Sequence, residues 1–248
     1  MAVRAVLFDL GNTLLDYPPK PEWTHWGIYQ EMQLRRSLSR LCQGPPPEEA
    51  LPVLLAHLDG EPIRERQRAG LAYPLSQRLT DGLAVFGLTC PPEVIVRIMD
   101  DWFGPVREVS RPFPEVAETL QALRRRTLPL AIISNTALDC PGHYAIADLA
   151  KWELDGYFSA FVFSGDEPWC KPHPEFMREA ARRLGVAPPE CLVVGDSLEA
   201  DVGGAQAAGM PSAWVNRAGR PCPPGPAAPD HEVRDVRQVL DLLEDSDP

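Results

Sequence analysis

The chain has 248 residues, of which 44% are hydrophobic and 24% are charged, a composition typical of a globular protein with a sizeable core. Its 35 acidic and 24 basic residues give a formal net charge of −11, which disfavours non-specific binding to nucleic acid or to an anionic membrane. No apolar run approaches the roughly 18 residues that a membrane helix requires. The 6 cysteines are scattered without a CxxC pair, which is typical of reduced thiols. We therefore expect a soluble cytoplasmic protein. Its oligomeric state, monomer or homodimer, is left open by the sequence.

The first predicted element is a buried strand over residues 3–8, which ends at Asp9 and is followed by Gly11 and Asn12, residues suited to a tight turn. A proline-rich segment, 17–21, then leads into a part of the chain where apolar residues recur at helical spacing. This spacing predicts helices over 22–42, 48–58, 75–86 and 92–109. The stretch 17–111 is therefore predicted to be an all-helical insert.

Strands and helices alternate from residue 112 to the end. Strands are predicted at 128–133, 160–163, 191–194, 212–215 and 231–234, and helices at 115–126, 174–184, 198–208 and 235–243. Near-continuous apolar strands separated by helices predict an α/β fold with a parallel sheet covered on both faces. The division predicted is a discontinuous core domain of residues 1–16 and 112–248, with the helical insert 17–111 as a second unit.

Polar residues follow the strands of this predicted sheet where each strand ends. Asp9 follows the first strand, Ser134 and Asn135 follow the second, and Lys171 lies beyond the third, just before a helix. The fourth strand leads into Gly195-Asp196-Ser197, with Asp201 one helical turn later. Taken one at a time, these residues have purely structural explanations. Ser134 and Ser197 can cap helices, Lys171 can be a solvated loop lysine, and Asp201 can be an acid in the first turn of a helix.

Together they indicate a site, because ligands of open parallel sheets bind at the carboxyl ends of the strands. Asp9 and Asp196 would repel each other there unless a cation lay between them. A hard cation with oxygen ligands, most simply Mg²⁺, meets this need.

Four segments of the chain, FDLGNTL, IISN, CKPHPEF and VVGDSLEADVGGAQAAGM, resemble in order the four motifs of the haloacid dehalogenase superfamily. The resemblance covers the whole chain and implies a Rossmann-like doubly wound core with an inserted cap domain. It also implies that Asp9 is the nucleophile, which forms an aspartyl-phosphate that water hydrolyses. Ser134 and Asn135 would bind the transferred phosphoryl group, and Lys171 would steady the charges of nucleophile and phosphate.

The same resemblance implies a Mg²⁺ site. Its ligands would be Asp9, the backbone carbonyl of Gly11 and Asp196, with Asp201 in or next to the coordination shell. The substrate implied is a small phosphorylated metabolite, enclosed by the cap.

Position 11 departs from the family pattern, because phosphatases of this family usually carry there a second Asp that protonates the leaving alcohol. Three explanations stay open for Gly11: the substrate has a good leaving group, such as an anomeric sugar phosphate or an acyl phosphate; another acid, Asp16 or His25, takes over; or phosphatase activity is weak or lost. The last explanation is the rival prediction of a noncatalytic phosphate- or metabolite-binding protein.

A 2-haloacid dehalogenase is the weaker enzymatic rival, since its chemistry needs neither Mg²⁺ nor the paired acids. A phosphonatase ranks lower still. That branch of the family uses a cap lysine to form a Schiff base, and the only lysine before Lys151 is Lys20, in the proline-rich segment.

In the insert, Arg64, Arg66 and Arg68 form a basic patch best explained as a solvated helix face. Trp23, Trp26 and Trp102 are expected in the core or at the domain interface.

Overall fold

A six-stranded parallel sheet lies at the centre of the computed structural model, which describes residues 3–18, 26–41, 50–223, 225 and 227–244. In chain order the strands are β1 (Ala5–Phe8), β2 (Leu15–Asp16), β3 (Arg111–Pro112), β4 (Leu130–Ser134), β5 (Ala160–Phe163), β6 (Cys191–Gly195), β7 (Ser212–Val215) and β8 (His231–Val233). The helices are α1 (Trp26–Leu41), α2 (Ala50–Asp59), α3 (Glu61–Arg68), α4 (Leu75–Ala84), α5 (Pro92–Glu108), α6 (Val116–Arg125), α7 (His143–Ala150), α8 (Pro174–Leu184), α9 (Gly203–Ala208) and α10 (Val239–Glu244).

The strand order of the sheet is β5-β4-β1-β6-β7-β8, so the first strand of the chain lies between β4 and β6. Phe8 is in register with Ile132 on one side and with Val194 on the other. Helices α6, α7 and α10 cover one face of the sheet, while α8 and α9 cover the other. Because both faces are covered, β1, β4 and β6 are buried along their whole length. The predicted α/β fold with a Rossmann-like parallel sheet is confirmed.

The helical insert packs around a core of its own, supplied by α1, α2, α4 and α5. Trp102 is buried in this core together with Cys140 and Tyr144, which come from the segment after β4. The insert therefore rests directly on the carboxyl side of the sheet. The strands β2 and β3 pair antiparallel where the chain leaves the sheet and returns to it. This pairing supports the division at residues 16 and 112, which stays a prediction.

The structure differs from the sequence prediction mainly at four helical segments. The helices α3 and α7 were not predicted, since each is only 8 residues long. The predicted helix 198–208 begins as a π-helical turn, Leu198–Val202, before α9. The predicted helix 235–243 begins as a short 3₁₀ segment before α10.

Some sequence predictions lie outside the described residues, namely those on Trp23, His25 and Cys42. The other cysteines, Cys90, Cys140, Cys170, Cys191 and Cys222, are free thiols. Within the part of the chain that the structure describes, no helix is both long and apolar enough to cross a membrane.

Candidate active site

A cavity of about 440 Å³ lies between the carboxyl edge of the sheet and the helical insert. The carboxyl ends of β1, β4 and β6 meet at this edge because the strands are adjacent and parallel. Every residue predicted for the site lines the cavity: Asp9, Gly11, Ser134, Asn135, Lys171, Asp196 and Asp201. The tertiary structure thus brings together residues that are up to 192 positions apart in the chain (201 minus 9).

Lys171 forms the centre of the site. Its Nζ lies 2.6 Å from Asp9 Oδ1 and 2.6 Å from Asp201 Oδ1, and all three side chains are buried. Burial alone would lower the pKa of Lys171, but the charges of Asp201 and Asp9 outweigh it and hold this pKa above its ordinary value. Lys171 is therefore a permanent ammonium that fixes both carboxylates.

Asp9 is held at the end of β1 by two hydrogen bonds in addition to its contact with the ammonium of Lys171. Its backbone N–H donates to the Val194 carbonyl (2.9 Å), and the Thr13 hydroxyl donates to Asp9 Oδ2 (2.9 Å). Burial raises the pKa of Asp9 to about 7, against the opposing charge of Lys171. Thr13 was missed by the sequence analysis, although a hydroxyl 4 residues after the carboxylate in a tight turn was an available signal.

Asp201 reaches the sheet edge because Gly195 has no side chain. A Cβ at position 195 would collide with the Asp201 carboxylate, so only glycine at this strand end admits it. The second oxygen of Asp201 accepts from the Ser197 backbone N–H (2.9 Å), and the Ser197 hydroxyl accepts from the Ala200 N–H (3.1 Å). Ser197 is thus the expected cap, and it also orients Asp201.

Asn135 makes two hydrogen bonds to the backbone of Lys171. Its side-chain NH₂ donates to the Lys171 carbonyl (3.0 Å), and its side-chain oxygen accepts from the Lys171 N–H (2.8 Å). The amide therefore positions the backbone of Lys171, and its role towards phosphate stays a prediction. Ser134 is buried at the end of β4 and lines the cavity beside it.

Three carboxylates at the sheet edge form a candidate metal site. One oxygen from each of Asp9, Asp196 and Asp201 lies within 4.8 Å of the others. Burial raises the pKa of Asp196, and the neighbouring charge of Asp201 adds to this effect. A cluster of oxygen donors with one ammonium for three carboxylates suits a hard divalent cation such as Mg²⁺.

The wall of the cavity opposite these strand ends includes side chains that the sequence analysis missed. Arg107, from the last turn of α5, donates from Nε to Asp148 Oδ1 (3.0 Å), and the Tyr17 hydroxyl donates to Asp148 Oδ2 (3.2 Å). Burial raises the pKa of Asp148, while Arg107 opposes this rise. Burial also raises the pKa of Tyr17. No local motif could have found this group, because its members come from a linker, the insert and the unpredicted helix α7.

Of the two acids suggested to replace a carboxylate at position 11, Asp16 is the one that the structure describes. Asp16 pairs with Arg111 and does not line the cavity, and His25 lies outside the described residues. The group nearest to the missing side chain is instead Tyr17: a Cβ added to Gly11 would have Tyr17 Cε2 as its nearest neighbour, at 4.0 Å. Among the described residues, position 11 therefore has room for a Cβ atom.

The basic patch on the insert also lies outside this cavity. Arg64, Arg66 and Arg68 are exposed on α3, and none of them is among its lining residues. Arg64 and Arg68 pair with Glu61 on their own helix. This arrangement agrees with a solvated helix face.

The fold and the site define an α/β protein with a buried carboxylate–ammonium–carboxylate group at the edge of its parallel sheet, under a helical insert. Residues 3–209 match the model of the haloacid dehalogenase-like hydrolases. The chain belongs to this family of hydrolases.

Named relatives include two phosphatases. A phosphoglycolate phosphatase of Escherichia coli (strain K12) is 31% identical over 216 residues, which are 85% of this chain and 80% of that protein. A phosphoserine phosphatase of Thermus thermophilus is 38% identical over 133 residues, but the match spans only 52% of this chain and 49% of that protein. Relatives named in this way support an enzyme of the phosphatase type.

Solved structures share the fold over almost the whole chain. A 2-haloacid dehalogenase from Pseudomonas syringae pv. Tomato superposes with a TM-score of 0.66 at 28% identity, covering 98% of this chain and 99% of its own. The HAD hydrolase YfnB from Bacillus subtilis, described as bound to magnesium, has a TM-score of 0.61 at 20% identity and covers 98% of this chain and 99% of its own. The latter likeness is one of fold alone.

Proposed function

We propose that this protein is a Mg²⁺-dependent phosphatase that hydrolyses a small phosphorylated metabolite through an aspartyl-phosphate on Asp9. The observation that carries the proposal is the contact of the Lys171 ammonium with both Asp9 and Asp201, at 2.6 Å each, in a cavity that also holds Asp196. Displacement of a halide requires a nucleophilic carboxylate but not this set of paired acids.

In the proposed reaction a carboxylate oxygen of Asp9 attacks phosphorus, and the bond from phosphorus to the substrate's alcohol oxygen breaks. The leaving oxygen takes up a proton. Water then attacks the phosphorus of the aspartyl-phosphate, gives up a proton, and releases inorganic phosphate and the Asp9 carboxylate. Lys171 and Thr13 hold the two oxygens of Asp9, so the nucleophile is oriented before substrate arrives.

The cation would be held by Asp9, the Gly11 carbonyl and Asp196, with Asp201 beside them. When bound, Mg²⁺ supplies positive charge that offsets the phosphate and the carboxylates. Ser134 would bind the transferred phosphoryl group, with Lys171 steadying its charge. Asn135 would help to bind the phosphoryl group, and its two hydrogen bonds to the backbone of Lys171 position that lysine.

Because position 11 is Gly, the acid that usually protonates the leaving group is absent. The proposed substrates are therefore those with good leaving groups, such as anomeric and acyl phosphates. The test is hydrolysis of p-nitrophenyl phosphate, whose leaving group needs no acid. We expect turnover that EDTA abolishes and that falls by roughly 10⁴-fold or more in Asp9→Asn. The matched control is Asp241→Asn, since Asp241 is exposed on α10 and lies outside the cavity.

Two outcomes would replace the proposal. Release of halide from 2-chloropropanoate without Mg²⁺ would support the dehalogenase alternative, which the 28% identical dehalogenase structure keeps open. Binding of inorganic phosphate with no turnover of any ester would support the noncatalytic alternative, which Gly11 favours.

A further inference from the structure

The cavity contains one cationic side chain whose charge the chemistry at Asp9 does not use. Among the described residues, Lys171 and Arg107 are the cationic side chains that line the cavity. Lys171 is paired with Asp9 and Asp201. Arg107 lies on the wall that must face the organic part of a substrate bound through its phosphate.

The contacts of Arg107 leave one edge of its guanidinium available. Its Nε donates to Asp148, and its Cζ lies 5.4 Å from the centre of the Tyr144 ring. The two Nη atoms have no hydrogen-bond partner among the described residues, and the side chain is 32% exposed. The guanidinium is thus oriented by Asp148 and Tyr144, with two donor groups still to be satisfied.

These donor groups suit an anion. A guanidinium presents parallel N–H groups that match the two oxygens of a carboxylate, and such charge-assisted hydrogen bonds are stronger than neutral ones. Because Asp148 is paired through Nε, the Nη edge is left to bind a second anion. Phe103 and Ala145 also line the cavity and add apolar surface to it.

We infer that Arg107 is a specificity-determining residue, which binds a second anionic group, a carboxylate, on the organic part of the phosphorylated substrate. This inference rests on the proposed function for its substrate class, but it is tested by binding and not by turnover. Its readout is therefore separate from the chemistry at Asp9.

The competing explanation for Arg107 is purely structural, since it lies on the seam between α5 and α7. That seam has further contacts: the Tyr144 hydroxyl donates to Asp100 (2.7 Å), and Lys151 Nζ donates to the Glu108 carbonyl (3.0 Å). Substitution of Arg107 should therefore leave the seam in place. A merely structural residue would affect all ligands alike, whereas a carboxylate-binding residue affects charged ligands selectively.

The experiment measures the affinity of matched ligand pairs by calorimetry in the presence of Mg²⁺. The pairs are 3-phosphonopropanoate with its amide and 4-phosphonobutanoate with its amide; both members of a pair have the same length, differ in the charge of one end and cannot be hydrolysed. We expect wild type to bind the carboxylate of at least one pair about ten- to a hundredfold more tightly than the amide. This preference should fall to about one in Arg107→Met and be partly retained in Arg107→Lys.

The control variant is Arg97→Met, which removes the same charge from an exposed position on the same helix and should keep the wild-type preference. The inference is overturned if wild type binds acid and amide equally at both lengths, binds neither, or keeps its preference in Arg107→Met. Hydrolysis of p-nitrophenyl phosphate decides the proposed function separately. Turnover without a carboxylate preference removes only the inference, and a preference without turnover removes only the phosphatase.

Discussion

The ion pair between Arg78 and Asp139 joins the helical insert to the sheet domain, and its removal tests how the two are held together. Arg78 lies on α4 and Asp139 in the segment after β4; their side chains are 0% and 1% exposed. Arg78 also donates to the Leu58 carbonyl (2.7 Å) and the Tyr73 carbonyl (2.5 Å). Asp139 further accepts from the Tyr73 N–H (3.2 Å). Both charges are thus fully desolvated and paired.

Asp139→Asn should destabilise the protein by about 3–5 kcal/mol, because the buried guanidinium of Arg78 then loses the charge of Asp139. At a slope of about 2–3 kcal/mol per M, the urea midpoint should fall by about 1–2.5 M. Arg78→Met should have an effect of similar size, since the buried carboxylate then loses its only cation among the described contacts. The double variant Arg78→Met/Asp139→Leu should recover part of the loss, but not all, because two backbone carbonyls lose their donor.

The assay is equilibrium unfolding in urea followed by circular dichroism and tryptophan fluorescence. If the insert and the sheet unfold in separate transitions, the shift should appear in the transition of the insert. Arg97→Met, at an exposed position, should stay within about 0.5 kcal/mol of wild type. A loss below about 1 kcal/mol for both single variants would refute the reasoning, since it would mean that water or other groups replace the partner at no great cost.

Three further predictions follow from the site and the thiols. Gly11→Asp should raise kcat/KM by up to roughly 10²–10⁴-fold for alkyl phosphates and much less for aryl phosphates, because the new carboxyl group can protonate a poor leaving group. A Cβ at position 11 would lie 4.0 Å from its nearest neighbour, Tyr17. An equal change in kcat/KM across a series of leaving groups would contradict this prediction. Mg²⁺ at 100 times its Kd should stabilise the protein by about 2.7 kcal/mol, measured by calorimetry as a rise in Tm. Asp196→Asn should remove most of this rise in Tm, because Asp196 is one of the three clustered carboxylates. A rise of the same size in the variant would exclude Asp196 from the metal site. Maleimide at pH 8 should label Cys222 first, because its thiol is exposed. Cys140 should react far more slowly, because burial raises its pKa to about 12 and leaves roughly one thiol in 10⁴ as thiolate. Labelling of Cys140 in the folded protein, detected by peptide mass spectrometry, would refute its burial.

The sheet and the position of its functional edge could be predicted from the chain alone. The strands β5 and β7 have the predicted bounds because a strand buried on both faces must be apolar throughout, a local property of the sequence. Asp9, Asp196 and Lys171 could be assigned to one cavity because each lies just after a strand, or before a helix that follows one. Parallel pairing then brings such positions to the same edge.

Local reasoning failed where the outcome depends on contacts between distant segments. The helix α7 is short and has no distinctive spacing, and it is stabilised by packing on the sheet and against α5. The amide of Asn135 contacts the Lys171 backbone, a contact between distant segments that no spacing in the sequence could reveal.

The sequence by itself therefore determined the α/β architecture and the chemical groups at the sheet edge, because both follow from residue type and local periodicity. Only the tertiary structure decided that Lys171 joins Asp9 to Asp201, and that Tyr17, Asp148 and Arg107 form the opposite wall. These contacts depend on how the insert is seated over the sheet. That seating is set by the shape and charge of surfaces far apart in the chain, including the Arg78–Asp139 pair.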